Sequence, residues 1–296
     1  MSANLYALAA IGLWAMLASL GVSLKHVPPF LLTGVALLVG SLLSVPFVLR
    51  DGRQWRVAPR MLGLGVFTLF GFHFLLFIAL RIAPAVEVNL INYLWPLLMV
   101  VLAPWYLPGV RLGPVHAIAA VIGFAGAAIA ILGGRDTTTS AENLATLATP
   151  ALSQPALGYA LALGAALIWG NYSLQTKRMA LKGTGASTAA IGLFGLVSGV
   201  LSLLCHWALE PSVPLSVRDW LLMAVTGLGP LGAAFYLWDQ ALKLGDTRHI
   251  AVLSYLTPLL STVLLIAVTG RALSASIGVA ALLIIGAALL GTRRTP

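Results

Sequence analysis

The chain has 296 residues, of which 60% are hydrophobic and only 8% are charged. A water-soluble domain carries roughly 25% charged residues, so the composition excludes a soluble globular protein and predicts an integral membrane protein embedded in the lipid bilayer. The net charge of +9 comes from Lys and Arg scattered among short loops, which favours membrane-flanking loops over a nucleic-acid surface. The single cysteine, Cys205, excludes an internal disulfide bond.

Ten apolar segments follow one another along the chain, and each is long enough to cross the hydrocarbon core as a helix of about 20 residues. Most of them are bounded by Pro, Gly or charged residues, which end hydrophobic helices. The predicted fold is therefore an all-α membrane protein of ten transmembrane helices. The predicted spans are 4–24, 29–49, 61–80, 85–107, 114–133, 157–176, 186–209, 219–242, 250–269 and 273–291.

The basic residues of the predicted loops divide unequally between the two sides of the membrane. By the positive-inside rule, the side richer in Lys and Arg faces the cytoplasm, so both termini are predicted to be cytoplasmic. The richer side carries Arg50, Arg53, Arg56, Arg60, Arg111, Lys177, Arg178, Lys182, Lys243, Arg248, Arg293 and Arg294. The other side carries Lys25, Arg81, Arg135, Arg218 and Arg271.

Two segments of the chain are copies of one another. Residues 73–98 and 235–260 align at an offset of 162 positions, from 73 to 235, and both are strongly apolar. The alignment indicates a duplicated hydrophobic unit. The identical residues are Leu75, Ala79, Leu80, Tyr93, Leu94, Pro96, Leu97 and Leu98 in the first copy and Leu237, Ala241, Leu242, Tyr255, Leu256, Pro258, Leu259 and Leu260 in the second.

The duplication predicts two halves of opposite orientation. Residues 1–134 and 157–296 each contain five predicted spans, and the polar segment 135–156 is predicted to be an external linker between them. Because five is odd, the second half enters the membrane from the opposite side. The loop charges agree, since the loop after span 2 is rich in Arg whereas its counterpart after span 7 holds only Arg218. Two inverted five-helix repeats around a central cavity are the usual architecture of a secondary transporter.

The fourth span carries the densest group of polar and aromatic residues. The group includes Asn92, Tyr93 and Trp95, which lie directly before Pro96. Pro96 cannot donate a backbone hydrogen bond and therefore frees the carbonyl of Asn92. Tyr255 and Pro258 occupy the matching positions in span 9. Paired Pro-interrupted helices are a strong sequence indicator of a transporter binding site. The alternative is that both prolines only kink helices within the bundle.

Aromatic and ionisable residues at mid-depth extend this candidate site. Trp14 in span 1 and Trp169 in span 6 lie about 15–18 Å from the ends of their spans, although Trp usually prefers the interface. His73 and Phe77 share one face of span 3 and lie one turn apart. The two tryptophans either line a cavity or pack in a core. His73 is either functional or a neutral imidazole bonded to a carbonyl or to Asn92.

The sequence contains no recognisable catalytic or metal-binding constellation. Asp239 lies four residues before Lys243, which predicts an ion pair near a helix end more than a proton relay. Glu87 suits the first turn of span 4, where a carboxylate interacts favourably with the helix dipole. Since no phosphate loop, metal cluster or nucleophile–base pair is present, the chain is predicted not to be an enzyme and to need no cofactor and no metal.

These features resemble the drug/metabolite transporter superfamily with EamA-type repeats. The segments ALRIAPAVEVNLINYLWPLL (79–98) and ALKLGDTRHIAVLSYLTPLL (241–260) look like the fourth and ninth helices of such proteins. The run NYLWP (92–96), with Trp14 and Trp169, is similar to the YddG branch of aromatic amino-acid exporters. The resemblance covers the chain outside the segment 135–156.

The resemblance implies an inner-membrane exporter of aromatic and other neutral amino acids that works by alternating access, and we expect a monomer. It implies that Tyr93, Trp95 and Trp169 line the substrate cavity and that His73 and Phe77 face it. An exporter of another small metabolite or drug is the nearest alternative. An intramembrane enzyme and a membrane scaffold are alternatives of a different class. A carrier of phosphate esters would need Lys or Arg at mid-depth, where the sequence has none.

Overall fold

A computed structural model of the protein describes residues 2–133, 154–269 and 275–291, and these residues form helices without any strand. Eight of the helices are long and apolar enough to cross a membrane. The chain is thus a multi-pass membrane protein, and the first eight predicted spans are confirmed within a few residues. The eight helices are α1 (Ala3–Ser23), α2 (Pro29–Arg50), α3 (Pro59–Ile82), α4 (Ala85–Tyr106), α5 (Pro114–Leu132), α6 (Pro155–Leu181), α7 (Ala190–Leu209) and α8 (Val217–Leu244).

The last part of the chain departs from the predicted pattern of uniform spans. The predicted ninth span consists of two helices, α9 (Thr247–Leu253) and α10 (Leu256–Thr269). The final helix α11 (Ala275–Gly291) has 17 residues. The predicted linker 135–156 lies outside the described residues except for its last three positions. Arg135, Arg271, Arg293 and Arg294, which entered the charge count, also lie outside them.

The long helices are interrupted at corresponding places in the two halves. A π-helical turn occupies Phe67–Gly71 in α3 and another occupies Gly229–Ala233 in α8, an offset of 162 positions from 67 to 229. Helix α4 is interrupted at residues 93–94, and residues 254–255 separate α9 from α10. Pro96 and Pro258 follow these two breaks and remove the N–H groups that would continue the helices. The π-helical turns therefore recur at the spacing of the sequence repeat, and the helix breaks recur within one residue of it.

The packing of the helices follows the same correspondence. Helix α1 packs on α8 and α10, and α6, which occupies the equivalent place in the second half, packs on α3 and α4. Helix α2 packs on α7, and α5 packs on α11. Exchanging the two halves of the chain leaves this set of neighbours unchanged. The groups α1–α8–α10 and α3–α4–α6 face each other, and the space between them contains the candidate site.

Close backbone contacts between helices depend on glycine. A Cβ atom on Gly199 of α7 would lie 2.9 Å from the carbonyl oxygen of Gly34 in α2. A Cβ atom on Gly232, in the π-helical turn of α8, would lie 2.0 Å from the carbonyl oxygen of Gly227 and 2.9 Å from the Cα atom of Gly40. Small residues allow membrane helices to approach so closely because lipid provides no hydrophobic driving force between them.

A buried carboxylate joins the ends of three helices. Glu210 directly follows α7, and its side chain has no solvent exposure. It accepts hydrogen bonds from the backbone N–H groups of Phe30 (3.0 Å) and Leu31 (3.2 Å), which start α2. It also forms an ion pair with Arg81 near the end of α3 and contacts His206 Nδ1 at 3.0 Å. We call the end of the bundle that contains this group the α3–α4 end.

Candidate functional site

The two facing groups of helices enclose a cavity of about 530 Å³. Its size falls within the range of small-molecule sites, roughly 300–1,000 Å³. Leu80, two residues before the end of α3, and Asn89, in the second turn of α4, line the cavity, so it extends towards the α3–α4 end. The other lining residues are Trp14, Leu17, Ala18, Phe72, His73, Asn92, Tyr93, Trp95, Ile131, Trp169, Leu231, Phe235, Thr257, Pro258, Ser261 and Thr262.

Four indole rings from four helices form the closed side of the cavity. The ring centroids of Trp14 and Trp169 are 5.8 Å apart, and those of Trp14 and Trp238 are 5.1 Å apart. Trp95 contacts Trp169 at 6.4 Å and Trp238 at 5.5 Å, in both cases edge to face. Such aromatic pairs stabilise by about 0.5–1.5 kcal/mol beyond the burial of their surface. We call Trp14, Trp95, Trp169 and Trp238 the tryptophan cluster.

The indole N–H groups of two members of the cluster bond to groups within the bundle. Trp14 Nε1 donates to the carbonyl oxygen of Pro230 at 3.1 Å, in the π-helical turn of α8. Trp238 Nε1 donates to Ser173 Oγ in α6 at 3.2 Å. These bonds supply the partners that a tryptophan needs away from the membrane interface. They also join α1 to α8 and α8 to α6 at the bottom of the cavity.

Six of the eight residues that the sequence indicated are brought together around the cavity. These are Trp14, His73, Asn92, Tyr93, Trp95 and Trp169. Phe77 lies outside the lining, with its ring centroid 5.8 Å from those of both His73 and Phe30. Tyr255 is fully buried on another side, against Phe124 and under Gly123, where a Cβ atom would approach its ring to 2.5 Å.

His73 takes the more ordinary of the two arrangements considered for it. Its Nδ1 atom lies 2.6 Å from the carbonyl oxygen of Leu69, one turn earlier in α3. A carbonyl oxygen only accepts hydrogen bonds, so Nδ1 carries the proton, and in the neutral ring Nε2 remains an acceptor. The ring also packs edge to face on Phe72 at 5.1 Å. The imidazole is therefore held in one orientation at the cavity wall.

The chain is similar to known proteins over most of its length. Two stretches, residues 1–132 and 156–293, match the EamA-like transporter family, and together they cover most of the chain. The chain belongs to the EamA-like transporter family. The resemblance seen in the sequence is confirmed.

Relatives of this EamA-like protein match between about two thirds and nearly all of its length. It is 38% identical, over 98% of its own length and 97% of the relative, to the aromatic amino acid exporter YddG of Ancylobacter novellus. The exporter of the same name from Escherichia coli is 30% identical over 71% of this chain and 69% of the relative. A solved crystal structure matches with a TM-score of 0.85 at 36% identity, covering 98% of this chain and 97% of that one.

Two aromatic residues at the closed side of the cavity of this EamA-like protein, Phe235 in its lining and Trp238 behind it, were not singled out in the sequence. Trp238 completes the tryptophan cluster, but its counterpart in the repeat is Leu76, so no pairing drew attention to it. Phe235 lies 5.5 Å from Trp169 and is the repeat counterpart of His73. The duplication therefore indicated the right helices, whereas only the fold shows which side chains point inward.

A polar contact group joins the helices at the end of the bundle opposite to the α3–α4 end. Lys243 Nζ lies 2.6 Å from Asp239 Oδ2, so the predicted pair is present. The same nitrogen donates to the carbonyl oxygen of Ala186 at 2.9 Å and to Thr188 Oγ1 at 3.1 Å, in the loop between α6 and α7. Lys177 of α6 donates to the carbonyl oxygen of Lys243 at 3.2 Å. These bonds hold α6 and α8 together below the tryptophan cluster.

Proposed function

We propose that this protein is a secondary transporter of the bacterial inner membrane that exports aromatic and other neutral amino acids. The cavity carries the proposal, because its described lining includes six Phe, Tyr and Trp side chains and no Asp, Glu, Lys or Arg. Indole and phenyl walls favour an aromatic side chain through stacking, and an uncharged wall favours a solute without net charge. The names of the relatives agree with this substrate class.

Alternating access is the proposed mechanism, with residues 1–134 and 157–296 as two inverted repeats acting within a monomer. The exchange symmetry of the helix neighbours supports this division. In the predicted orientation the termini are cytoplasmic, the cavity extends towards the outside, and the Asp239–Lys243 group closes the cytoplasmic end. Transport then requires the tryptophan cluster to separate on the inner side while the α3–α4 end closes.

The proposed substrate site consists of five aromatic residues of the cavity wall and Asn92. Trp95, Trp169 and Tyr93 would contact the substrate ring, and Trp14 and His73 would complete the wall around it. Asn92 would supply polar contacts beside the break in α4. Phe77 and Tyr255 would act through the residues in front of them, because neither lines the cavity in this conformation. From the sequence, both residues were predicted to bind the substrate directly, whereas the proposed role is to support the residues that do.

Counterflow in proteoliposomes tests the proposal directly. Labelled phenylalanine or tryptophan outside the vesicles should accumulate when unlabelled substrate is inside, with and without a pH gradient. Trp95→Ala should reduce the initial rate by about tenfold or more, since it removes stacking area worth roughly 1.4 kcal/mol or more. Trp105→Ala is the matched control, because Trp105 belongs to the same helix but is 76% exposed on its outer surface.

The results separate the competing functions. Equal loss in both variants would indicate general damage to α4, and full activity of Trp95→Ala would refute the assignment of the site. Absence of counterflow for every neutral amino acid would reject the proposed substrate class and leave another metabolite or drug. Movement of no solute at all would leave the enzyme and scaffold alternatives, which do not predict transport.

A further inference from the structure

The described residues of the cavity wall offer hydrogen bonds but include no Asp, Glu, Lys or Arg. Its described polar residues are amides, hydroxyls, indoles and one imidazole, and Nδ1 of that imidazole is bonded to the carbonyl oxygen of Leu69. A solute with a net charge would lose its hydration there without gaining a counter-ion. A zwitterion carries two charges of opposite sign, and both can be satisfied by neutral donors and acceptors placed at the right points.

Two oxygen atoms in this wall are buried and have no hydrogen-bond partner among the described residues. They are Asn92 Oδ1 and Thr257 Oγ1. Thr257 is only 8% exposed. Other buried atoms without a hydrogen-bond partner among the described residues, such as Thr33 Oγ1 and Ser198 Oγ, lie away from the cavity. Buried polar atoms are nearly always paired, and these two share a cavity large enough to hold a small molecule that could bind both. Thr262 provides a contrast on the same helix, because it also lines the cavity but its hydroxyl donates to the carbonyl oxygen of Pro258 at 2.8 Å.

The two unpaired oxygens differ in the charge that they suit. Asn92 ends the first segment of α4, and its backbone carbonyl has no N–H at Pro96, four residues later, to accept from. Asn92 therefore supplies two hydrogen-bond acceptors, its side-chain Oδ1 atom and its backbone carbonyl oxygen. Thr257 lies in the first turn of α10, where the peptide dipoles carry partial positive charge, and its hydroxyl is able to donate. Acceptors suit an ammonium group, and a donor at a helix start suits a carboxylate.

We propose that Asn92 and Thr257 bind the main-chain charges of a zwitterionic amino acid. Asn92 Oδ1 accepts from the α-ammonium group, and the Thr257 hydroxyl donates to the α-carboxylate, while the aromatic walls hold the side chain. This assignment rests on the proposed amino-acid transport and goes further, because it states which residue binds which charged group of the substrate. An amine or an acid that lacks one charge leaves one of the two oxygens unpaired.

Binding of three ligands with the same ring tests the assignment. Purified protein in nanodiscs is titrated calorimetrically with phenylalanine, with phenethylamine, which lacks the carboxylate, and with 3-phenylpropionate, which lacks the ammonium. The wild-type protein should bind phenylalanine about 10-fold or more tightly than either analogue, the difference expected from one hydrogen bond to a charged group.

Three variants then assign each charge to its residue. Thr257→Val should weaken phenylalanine about 10-fold and leave phenethylamine unchanged, and Asn92→Leu should weaken phenylalanine and leave 3-phenylpropionate unchanged. Thr262→Val should stay within about twofold of the wild-type protein for all three ligands, since its hydroxyl is already bonded within the helix. If Thr257→Val does not fold, Thr257→Ser and Thr257→Ala replace it, and only the hydroxyl of Ser should preserve phenylalanine affinity.

The outcomes distinguish this inference from the proposed function. Failure of the wild-type protein to bind or exchange any neutral amino acid would refute the proposed function itself. Tight phenylalanine binding that is unchanged in Thr257→Val and Asn92→Leu would refute only the assignment of these residues. Equal affinity of the wild-type protein for the three ligands, or equal losses in Thr257→Val and Thr262→Val, would also overturn it.

Discussion

Replacement of Glu210 by Ala should strongly destabilise the α3–α4 end. The carboxylate is fully buried and receives hydrogen bonds from two backbone N–H groups of α2, besides its ion pair with Arg81. Arg81 also packs its guanidinium over the ring of Phe30 at 5.4 Å, so the pair fixes the entry of α2 against α3. Removing Glu210 leaves Arg81, which is 29% exposed, without its partner and two backbone N–H groups of α2 without an acceptor, which together should cost about 3–5 kcal/mol.

The expected loss translates into a measurable change in melting temperature. For a chain of this size each kcal/mol lowers Tm by roughly 2 °C, so Glu210→Ala should lower Tm by about 6–10 °C. Glu210→Gln should lower it less, because an amide oxygen still accepts from the α2 backbone. Thermal unfolding of detergent-purified protein, followed by intrinsic fluorescence, measures both variants.

Asp51→Ala is the matched control for Glu210. Asp51 also accepts a hydrogen bond from a backbone N–H group, that of Arg53 at 3.0 Å, but it lies at an exposed position. Its removal should cost about 1 kcal/mol, the usual value for a lost cap, and so change Tm by about 2 °C. If Glu210→Ala melts within 2 °C of the wild-type protein, or no lower than Asp51→Ala, the reasoning from burial is refuted.

Two further predictions concern backbone packing and pH. Gly232→Ala should cost about 1–3 kcal/mol in unfolding free energy, because its Cβ would lie too close to the carbonyl oxygen of Gly227. Gly12→Ala is the control and should be nearly neutral, because a Cβ atom there would meet no atom within 4 Å. Urea titrations measure both variants, and equal losses of stability would contradict the prediction. Burial raises the pKa of Asp246, but its hydrogen bonds to Arg248 and the charge of Arg248 outweigh burial and leave the pKa lowered. The wild-type protein should therefore be more stable than Asp246→Asn above pH about 4, and this difference should disappear as the pH falls through the lowered pKa of Asp246. If the Tm values of the two proteins are already equal above pH 5, the prediction is refuted.

Much of the architecture follows from the linear pattern of the residues. Apolar stretches of membrane length predict helices because an unpaired backbone group in lipid is too costly, and eight of the predicted spans are confirmed. The offset of 162 positions also relates the two π-helical turns, which lie directly before the two copies at Phe67–Gly71 and Gly229–Ala233 and were not indicated by the sequence. Pro96 and Pro258 marked the breaks because proline lacks the N–H that a continuous helix needs.

The composition of the site could be predicted only in part, because a helix exposes each side chain in one direction and its rotation depends on its neighbours. Tyr255 matched Tyr93 in sequence, yet it packs under Gly123 of α5 while Tyr93 lines the cavity. Trp238 had no aromatic counterpart in the repeat and still completes the tryptophan cluster.

The sequence by itself determined the class of protein, the positions of most helices, the duplication and the family, because all of these depend on hydrophobic length, proline placement and local repetition. Only the tertiary structure decided which helices face each other, that Glu210 joins α2 to α3, and that Asn92 and Thr257 share one cavity. Those features connect residues more than 100 positions apart. They arise from the packing of complete helices against one another, which no local pattern records.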